Sequence, residues 1–152
     1  MENEKSLLAD PEVLRELILD HYQYPHNHHL MHEGTFRSVH MASDSCIDDI
    51  TVQSVIEDGI IKDIRFDGVA CTISTASTSI MTELVKGKTV NEAKEIIDNY
   101  YDMIDQKDYD EELLQEAVAF DTVGKQANRI KCATIGWHGL QKLIDESEKK
   151  ND

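Results

Sequence analysis

Three cysteines and one nearby carboxylate are the residues of this chain whose types fit metal or sulfur chemistry. Cys46, Cys71 and Cys132 lie 25 and then 61 residues apart, and Asp48 follows the first of them by two positions. The odd thiol count and the absence of a CxxC motif favour a metal or sulfur-handling site over a disulfide scaffold. If the fold gathers the four side chains, they form one ligand set of three sulfurs and one oxygen. Spacing alone leaves open the alternative that each cysteine is a small buried apolar residue.

Composition indicates a single globular domain, residues 1–152, with 1–9 and 146–152 expected to be flexible. The 152 residues are 40% hydrophobic, and 30 acidic against 15 basic residues give a net charge of −15. Such a charge repels a phosphate backbone, so we expect no nucleic-acid partner. No signal peptide and no apolar stretch approaching 18 residues is visible, which predicts a cytoplasmic protein without membrane contact. Thiols in that compartment stay reduced unless they bind metal or react.

The order of the predicted elements is typical of an α+β fold rather than a regular βαβ alternation. A helix follows Asp10-Pro11, where aspartate is the N-cap and proline the first helical residue. Alternation then predicts three strands over 35–41, 50–57 and 60–67, the last two joined by the turn Asp58-Gly59. Helical periods predict four further helices. One begins at Cys71, one at Thr89, one spans Asp110 to about Ala119, and one lies around Ile130 to Ile144. We therefore expect a three-stranded antiparallel sheet packed against about five helices.

These elements place the cysteines at three junctions. Cys46 falls in the turn between the first two strands, Cys71 at a strand-to-helix junction, and Cys132 in the first turn of the last helix. Unpaired N–H groups and the dipole at a helix N-terminus stabilise thiolates. The interpretation is that Cys71 and Cys132 are anchored, whereas Cys46 lies on a loop that is able to move.

Four segments of the sequence resemble the IscU/SufU family, also known as the NifU N-terminal domain family. LRELILDHYQYPHN (14–27) is similar to the family's opening helix and its His-Tyr-x-x-Pro-x-Asn signature. FDGVACTISTASTSIMTELVKGK (66–88) resembles the block around the second cysteine, and RIKCATIGW (129–137) that around the third. SCIDDI (45–50) matches the family's Cys-Gly-Asp in part.

The resemblance implies a metal site and its ligands. Cys46, Asp48, Cys71 and Cys132 match the family's ligands, which hold zinc in SufU-type members and a nascent [2Fe-2S] cluster in IscU-type members. A carboxylate is a hard ligand that is unusual in closed structural zinc sites, so its presence indicates an exchangeable site. A purely structural zinc is the alternative.

Two details of the resemblance favour the SufU type. Lys131 occupies the position where the IscU type has a histidine before the third cysteine. The stretch 106–126 resembles the insertion that SufU-type members carry between the second and third cysteines. Arg129 then matches an arginine implicated in binding the cysteine desulfurase.

The resemblance implies a role in iron-sulfur cluster assembly. In the SufU-type interpretation, a SufS-type cysteine desulfurase presents a persulfide, and Cys46 accepts its outer sulfur. The alternative is a scaffold on which a [2Fe-2S] cluster is assembled and passed to client apoproteins, with Asp48 as the labile ligand. A third class is a non-catalytic adaptor with an incidental metal.

Two residues depart from the family pattern near the first cysteine. Ile47 replaces the family's glycine, so a turn that is otherwise free to reach positive φ carries a β-branched residue. Asp49 follows Asp48 directly. If both continue the strand they point to opposite faces, and only one of them serves as a ligand.

The remaining polar residues are interpreted as structural. The histidines of the loop after the first helix could form a metal patch, but a solvated loop is the favoured interpretation; they are His26, His28, His29 and His32. His21 is expected to pack or hydrogen-bond on the first helix. A cysteine-histidine catalytic pair has only His40 near in sequence. The Ser/Thr run 72–78 lacks the GxSxG context of a serine hydrolase and is expected to line a helix close to the site.

Overall fold

In the described part of the chain, the helix Pro11–Gln23 precedes a three-stranded sheet, and the other helices follow the sheet. The computed structural model describes residues 8–32, 34–44 and 47–150. The five α-helices within these ranges are α1 Pro11–Gln23, α2 Thr72–Val85, α3 Val90–Ile104, α4 Glu111–Leu114 and α5 Ala127–Lys150. Two 3₁₀ segments, Gln115–Phe120 and Val123–Lys125, separate α4 from α5. The predicted α+β arrangement is confirmed.

The sheet is antiparallel, with strand order β1-β2-β3. β1 spans Arg37–Ala42, β2 spans Asp49–Glu57 and β3 spans Ile60–Val69. Asp58 and Gly59 connect β2 to β3 with φ of 54° and 72°. Positive φ at both central residues matches the right-handed twist of the flanking strands, as the Asp-Gly pair predicts.

α2 is the central helix of the molecule. It contacts both α1 and α5 as well as β3. Of its 14 residues, 11 are buried, so this helix faces protein on nearly every side. Six of those buried residues carry small hydroxyl side chains: Ser74, Thr75, Ser77, Thr78, Ser79 and Thr82. The Ser/Thr run therefore lines a packed helix, as predicted.

α3 begins with the capping box that the sequence predicts. The Thr89 side chain accepts a hydrogen bond from the Glu92 N–H, and the Glu92 carboxylate accepts one from the Thr89 N–H, each 3.1 Å long. Near the end of α3, Tyr100 stacks on Trp137 of α5 with ring centroids 3.9 Å apart. The stack fixes α5 against α3.

Two local expectations need correction. The acidic helix predicted over 110–119 ends at Leu114, because Gln115 adopts a φ of 47° that an α-helix does not accommodate. The sequence predicts Cys132 in the first turn of the last helix. α5 begins at Ala127, so Cys132 lies in the second turn, beyond the unpaired N–H groups of the helix start.

The predicted flexible ends fall mostly outside the described residues, namely 1–7 and 151–152. α5 continues through Lys150, and Glu148 near its end pairs with Lys94 of α3 at 2.5 Å. No helix within the described ranges is both long and apolar enough to cross a bilayer.

Candidate metal centre

Three of the four predicted ligands come together. One ligand atom from each of Asp48, Cys71 and Cys132 lies within 4.8 Å of the other two. Asp48 is 1% exposed, Cys132 is 8% exposed and Cys71 is partly buried. In a tetrahedral zinc site with bonds of about 2.3 Å, two sulfurs lie about 3.8 Å apart. The two sulfurs and the carboxylate oxygen therefore fit a thiophilic metal such as zinc.

The Asp48 carboxylate joins the loop before β2 to the start of α2. Its backbone carbonyl accepts a hydrogen bond from the Ser43 N–H at 3.0 Å, which narrows the β1–β2 loop at its base. Its Oδ1 atom accepts a hydrogen bond from the Cys71 N–H at 2.8 Å. A carboxylate at this position also interacts favourably with the N-terminal end of the helix dipole.

Cys71 is the N-cap residue of α2. Its Sγ atom accepts a hydrogen bond from the Ser74 N–H at 3.4 Å and lies 3.9 Å from Oδ2 of Asp48. The Ser74 hydroxyl also contacts Oδ2 of Asp48 in a short hydrogen bond. In the sequence, Ser74 is distinguished only as a member of the Ser/Thr run 72–78 and as a serine three residues after a cysteine that starts a helix.

Cys132 is held in place by a polar network at the next residue. The Tyr100 hydroxyl and the Ser77 hydroxyl each donate a hydrogen bond to the Ala133 carbonyl at 2.7 Å. The Trp137 Nε1–H donates to the Ser77 oxygen at 3.0 Å. Burial raises the pKa of Tyr100, so its hydroxyl stays a neutral donor. The network ties α2, α3 and α5 together one residue away from the Cys132 sulfur.

The first predicted ligand, Cys46, lies outside the described residues, so its role as ligand and acceptor stays a prediction. Its neighbour Ile47 is 65% exposed. The isoleucine side chain therefore faces solvent and packs little against the buried carboxylate beside it.

Asp49 points away from the centre. Its Oδ1 atom lies 2.6 Å from Nε2 of His40, and both side chains are 61% exposed. Asp48 and Asp49 thus have different surroundings, as strand alternation predicts, and His40 pairs with a carboxylate rather than a thiol.

Two basic residues of α5 lie within three positions of Cys132 in the sequence. Arg129 and Lys131 are both exposed. Lys131 lines a cavity of about 350 Å³ together with Met41 of β1 and His138 of α5. Burial, and then the charge of Lys142, lower the pKa of His138. Both cations are accessible to a partner.

The backbone of the histidine loop pairs with the edge of the sheet, while His26, His29 and His32 are exposed, as expected for a solvated loop. The Asn27 carbonyl accepts a hydrogen bond from the Phe66 N–H at 3.0 Å, along the outer edge of β3. His26 lies 2.5 Å from a Glu83 carboxylate oxygen. Among the described residues, these histidines belong to no group of potential metal ligands.

His21 is buried and hydrogen-bonded, as expected. Its Nδ1 atom lies 2.7 Å from the Ser79 hydroxyl, and its Nε2 atom lies 3.3 Å from a Glu116 oxygen. The hydrogen bond from His21 lowers the pKa of Glu116. This contact joins α1 to the 3₁₀ segment in the expected SufU-type insertion.

Residues 14–152 match the NifU-like N-terminal domain. The chain belongs to this family. Within the family it is 35% identical to the zinc-dependent sulfurtransferase SufU of Bacillus subtilis strain 168, over 91% of this chain and 94% of that protein. It is 36% identical to the iron-sulfur cluster assembly scaffold protein IscU of Streptococcus pyogenes serotype M1, over 86% of this chain and 82% of that protein.

The fold is shared with solved structures. A crystal structure from Fervidobacterium islandicum AW-1, provisionally assigned as an iron-sulfur cluster assembly scaffold for the SUF system, superposes with a TM-score of 0.75 at 31% identity. The match covers 83% of this chain and 92% of that chain. Family, fold and ligand types thus agree with the resemblance read from the sequence.

Proposed function

We propose that this protein is a zinc-bound sulfurtransferase of iron-sulfur cluster assembly that accepts persulfide sulfur from a SufS-type cysteine desulfurase. The observation that carries the proposal is the convergence of Asp48, Cys71 and Cys132, whose ligand atoms lie within 4.8 Å of one another. Similarity to a zinc-dependent sulfurtransferase over 91% of the chain supports the same metal.

The proposed ligand set contains two thiols that the fold holds in place and one that is free to exchange. Cys71 is fixed by its N-cap hydrogen bond and Cys132 by the network at Ala133. Cys46 completes the set, and its position in the β1–β2 loop suits a ligand that leaves and returns. Bound zinc supplies charge that keeps the thiolates deprotonated at neutral pH.

Sulfur transfer in this proposal is a thiol–disulfide type exchange. The Cys46 thiolate attacks the outer sulfur of the desulfurase persulfide, the sulfur–sulfur bond of that persulfide breaks, and the desulfurase cysteine leaves as a thiolate. Cys46 then carries the persulfide to the next acceptor. No electrons are gained or lost overall, so the step needs no external oxidant or reductant.

Arg129 is the residue we propose for desulfurase contact. It is exposed and lies three positions before Cys132 in α5, which places its positive charge near the site on an otherwise acidic chain. An exposed cation in such a position steers an acidic partner surface toward the centre.

A scaffold for a [2Fe-2S] cluster is the second candidate, supported by 36% identity to an IscU scaffold protein. The same three cysteines and Asp48 would hold the cluster, with the carboxylate as its exchangeable ligand. Client apoproteins would then receive the cluster rather than sulfur.

Metal analysis together with desulfurase assays tests the proposal. We expect about one zinc per chain after purification without added metal, and faster sulfide release when the protein is added to its desulfurase. Cys46→Ala should abolish the stimulation, whereas Asp49→Ala, which alters an exposed carboxylate paired with His40, should retain it. A brown protein with iron and acid-labile sulfide but no zinc would favour the scaffold. Full stimulation by Cys46→Ala would exclude Cys46 as the acceptor.

A further inference from the structure

Ser74 contacts two of the candidate ligands at once. It is fully buried in the first turn of α2. Its hydroxyl donates a short hydrogen bond to Oδ2 of Asp48, and its oxygen lies 3.5 Å from the Cys71 sulfur. Its backbone N–H donates to the same sulfur at 3.4 Å. One residue therefore links the carboxylate oxygen and the thiol that must lie on the same side of a metal.

We propose that Ser74 is a positioning residue for the metal centre, whose hydroxyl holds the Asp48 carboxylate against the Cys71 sulfur. This inference rests on the proposed function in so far as the group held in place is a zinc ligand. It adds a residue that is not itself a ligand and that determines how the oxygen ligand is presented.

Two hydrogen bonds hold the Asp48 carboxylate, one at each oxygen. Oδ1 accepts from the Cys71 N–H at 2.8 Å, and Oδ2 accepts from the Ser74 hydroxyl. The Cys71 thiol lies 3.9 Å from Oδ2, a much longer contact than the one from the hydroxyl. Without the Ser74 hydroxyl, Oδ2 loses its short hydrogen bond at a site where Asp48 is 1% exposed. Loss of a hydrogen bond to a buried carboxylate is costly, so the Ser74 hydroxyl stabilises the charged form in this orientation.

The hydrogen bond from Ser74 leaves Asp48 able to bind a metal. A serine has one proton to donate, and a carboxylate oxygen has two lone pairs. The Cys71 thiol lies within reach of the Ser74 oxygen and of Oδ2 of Asp48, and a thiolate has no proton to give to either. In both states the Ser74 proton remains available to Oδ2. A hydrogen bond on one lone pair of Oδ2 leaves the other for a metal.

A purely structural role for Ser74 makes a different prediction. In that case its hydroxyl would only support the start of α2, and its loss would have the same effect whether or not Asp48 is present. A positioning role acts through Asp48, so removal of the carboxylate should remove most of the effect of Ser74.

The first measurement is zinc affinity by competition with a chromogenic chelator. We expect Ser74→Ala to weaken zinc binding about ten- to one-hundredfold, the range for partners that orient metal ligands. Ser74→Thr retains a hydroxyl and should recover most of the affinity. Thr75→Val is the matched control, because it removes a buried hydroxyl in the same turn that contacts the Ala70 carbonyl instead of Asp48. Far-UV circular dichroism establishes that each variant is folded.

The second measurement repeats Ser74→Ala in an Asp48→Ala background. We expect a change in zinc affinity of less than about twofold there, because the group that Ser74 positions is absent. An equal loss in both backgrounds, or unchanged affinity in the single variant, would overturn the proposal.

Urea unfolding in the presence of chelator separates this inference from the proposed function. The four proteins compared are the wild type, Ser74→Ala, Asp48→Ala and the double variant. The loss of stability caused by Ser74→Ala should be at least halved when Asp48 is alanine, with no metal present. A wild-type chain that takes up no zinc would refute the zinc-bound sulfurtransferase, whereas the unfolding cycle would still decide whether Ser74 holds Asp48. Additive losses in that cycle would refute the positioning role.

Discussion

Ile47 lies between the predicted acceptor Cys46 and the buried carboxylate of Asp48. Its side chain is 65% exposed, so it makes few packing contacts. A β-branched residue restricts the backbone of the unfolded chain more than glycine does. The isoleucine is therefore expected to reduce the backbone freedom that the unfolded chain would have with glycine at this position.

Ile47→Gly should lower the free energy of unfolding, and Ile47→Ala is the matched comparison. The side chain packs little, so the difference between the two variants reports the backbone, and we expect glycine to be less stable than alanine by about 0.4–1 kcal/mol. Urea denaturation of the metal-free variants measures this difference. Equal free energies of unfolding for the two variants would show that a β-carbon at this position does not stabilise the protein.

Residue type alone points to the candidate ligands, but it does not point to the residues that orient them. Asp48, Cys71 and Cys132 stand out because carboxylates and thiols have few alternative roles in a reduced, buried setting. Ser74 does not stand out, since a buried serine in a helix also serves packing and capping. Its role depends on a contact with a residue 26 positions away, which only the folded structure shows.

At the scale of elements, α2 and α5 approach each other closely where Thr78 meets Gly136. A Cβ atom at Gly136 would overlap the Thr78 hydroxyl and lie 2.8 Å from its Cγ2 atom. Among the described residues, the Thr78 hydroxyl oxygen has no hydrogen-bond partner. This close approach sets the distance between the two helices that carry Cys71 and Cys132.

Gly136→Ala should therefore disturb both stability and metal binding. Overpacking at such a contact costs about 1–3 kcal/mol, and the helices must move apart, which separates the two sulfurs and weakens zinc binding. Thr78→Ala in the same chain should restore part of both losses. Gly34→Ala is the control, because nothing lies within 4 Å of a Cβ atom there. Unchanged zinc affinity in Gly136→Ala would show that the helix spacing does not control the site.

The sequence predicted most elements because each carried its own local signal. The Asp10 cap, the Asp58-Gly59 turn and the Thr89 capping box are confirmed by hydrogen bonds or dihedral angles. The start of α5 at Ala127 is missed because Gln126, which directly precedes it, is not one of the residue types that mark a helix N-cap. The early end of α4 depends on the positive φ of Gln115. Glutamine is a good helix former, so its presence does not predict a helix end.

At the scale of the whole molecule, the candidate metal centre joins three segments that are distant in the chain. Asp48 precedes β2, Cys71 caps α2 and Cys132 lies in α5, so these ligands span 84 positions of sequence. A metal bound there closes large loops, and the unfolded chain holds no preformed site. Metal binding should therefore be linked to unfolding of the entire domain.

Zinc should raise the melting temperature of the whole protein, and chelation should lower it. At free zinc one hundred times the dissociation constant, linkage adds about 2.7 kcal/mol to the free energy of unfolding. For a domain of this size, each kcal/mol corresponds to about 2–4 °C, so we expect an increase of about 5–11 °C. The one tryptophan of the chain, Trp137, is fully buried, so its fluorescence reports the transition.

Adjacent carboxylates provide the control for this measurement. Asp48→Ala should reduce the zinc-induced increase, because it removes a ligand. Asp49→Ala should leave it unchanged, because that side chain is exposed and pairs with His40. Zinc also binds thiolates of unfolded chains, which reduces the increase for every variant alike and leaves the order of the variants intact. An equal increase in Asp48→Ala and wild type would show that the carboxylate contributes nothing to the site, however closely it lies to the two sulfurs.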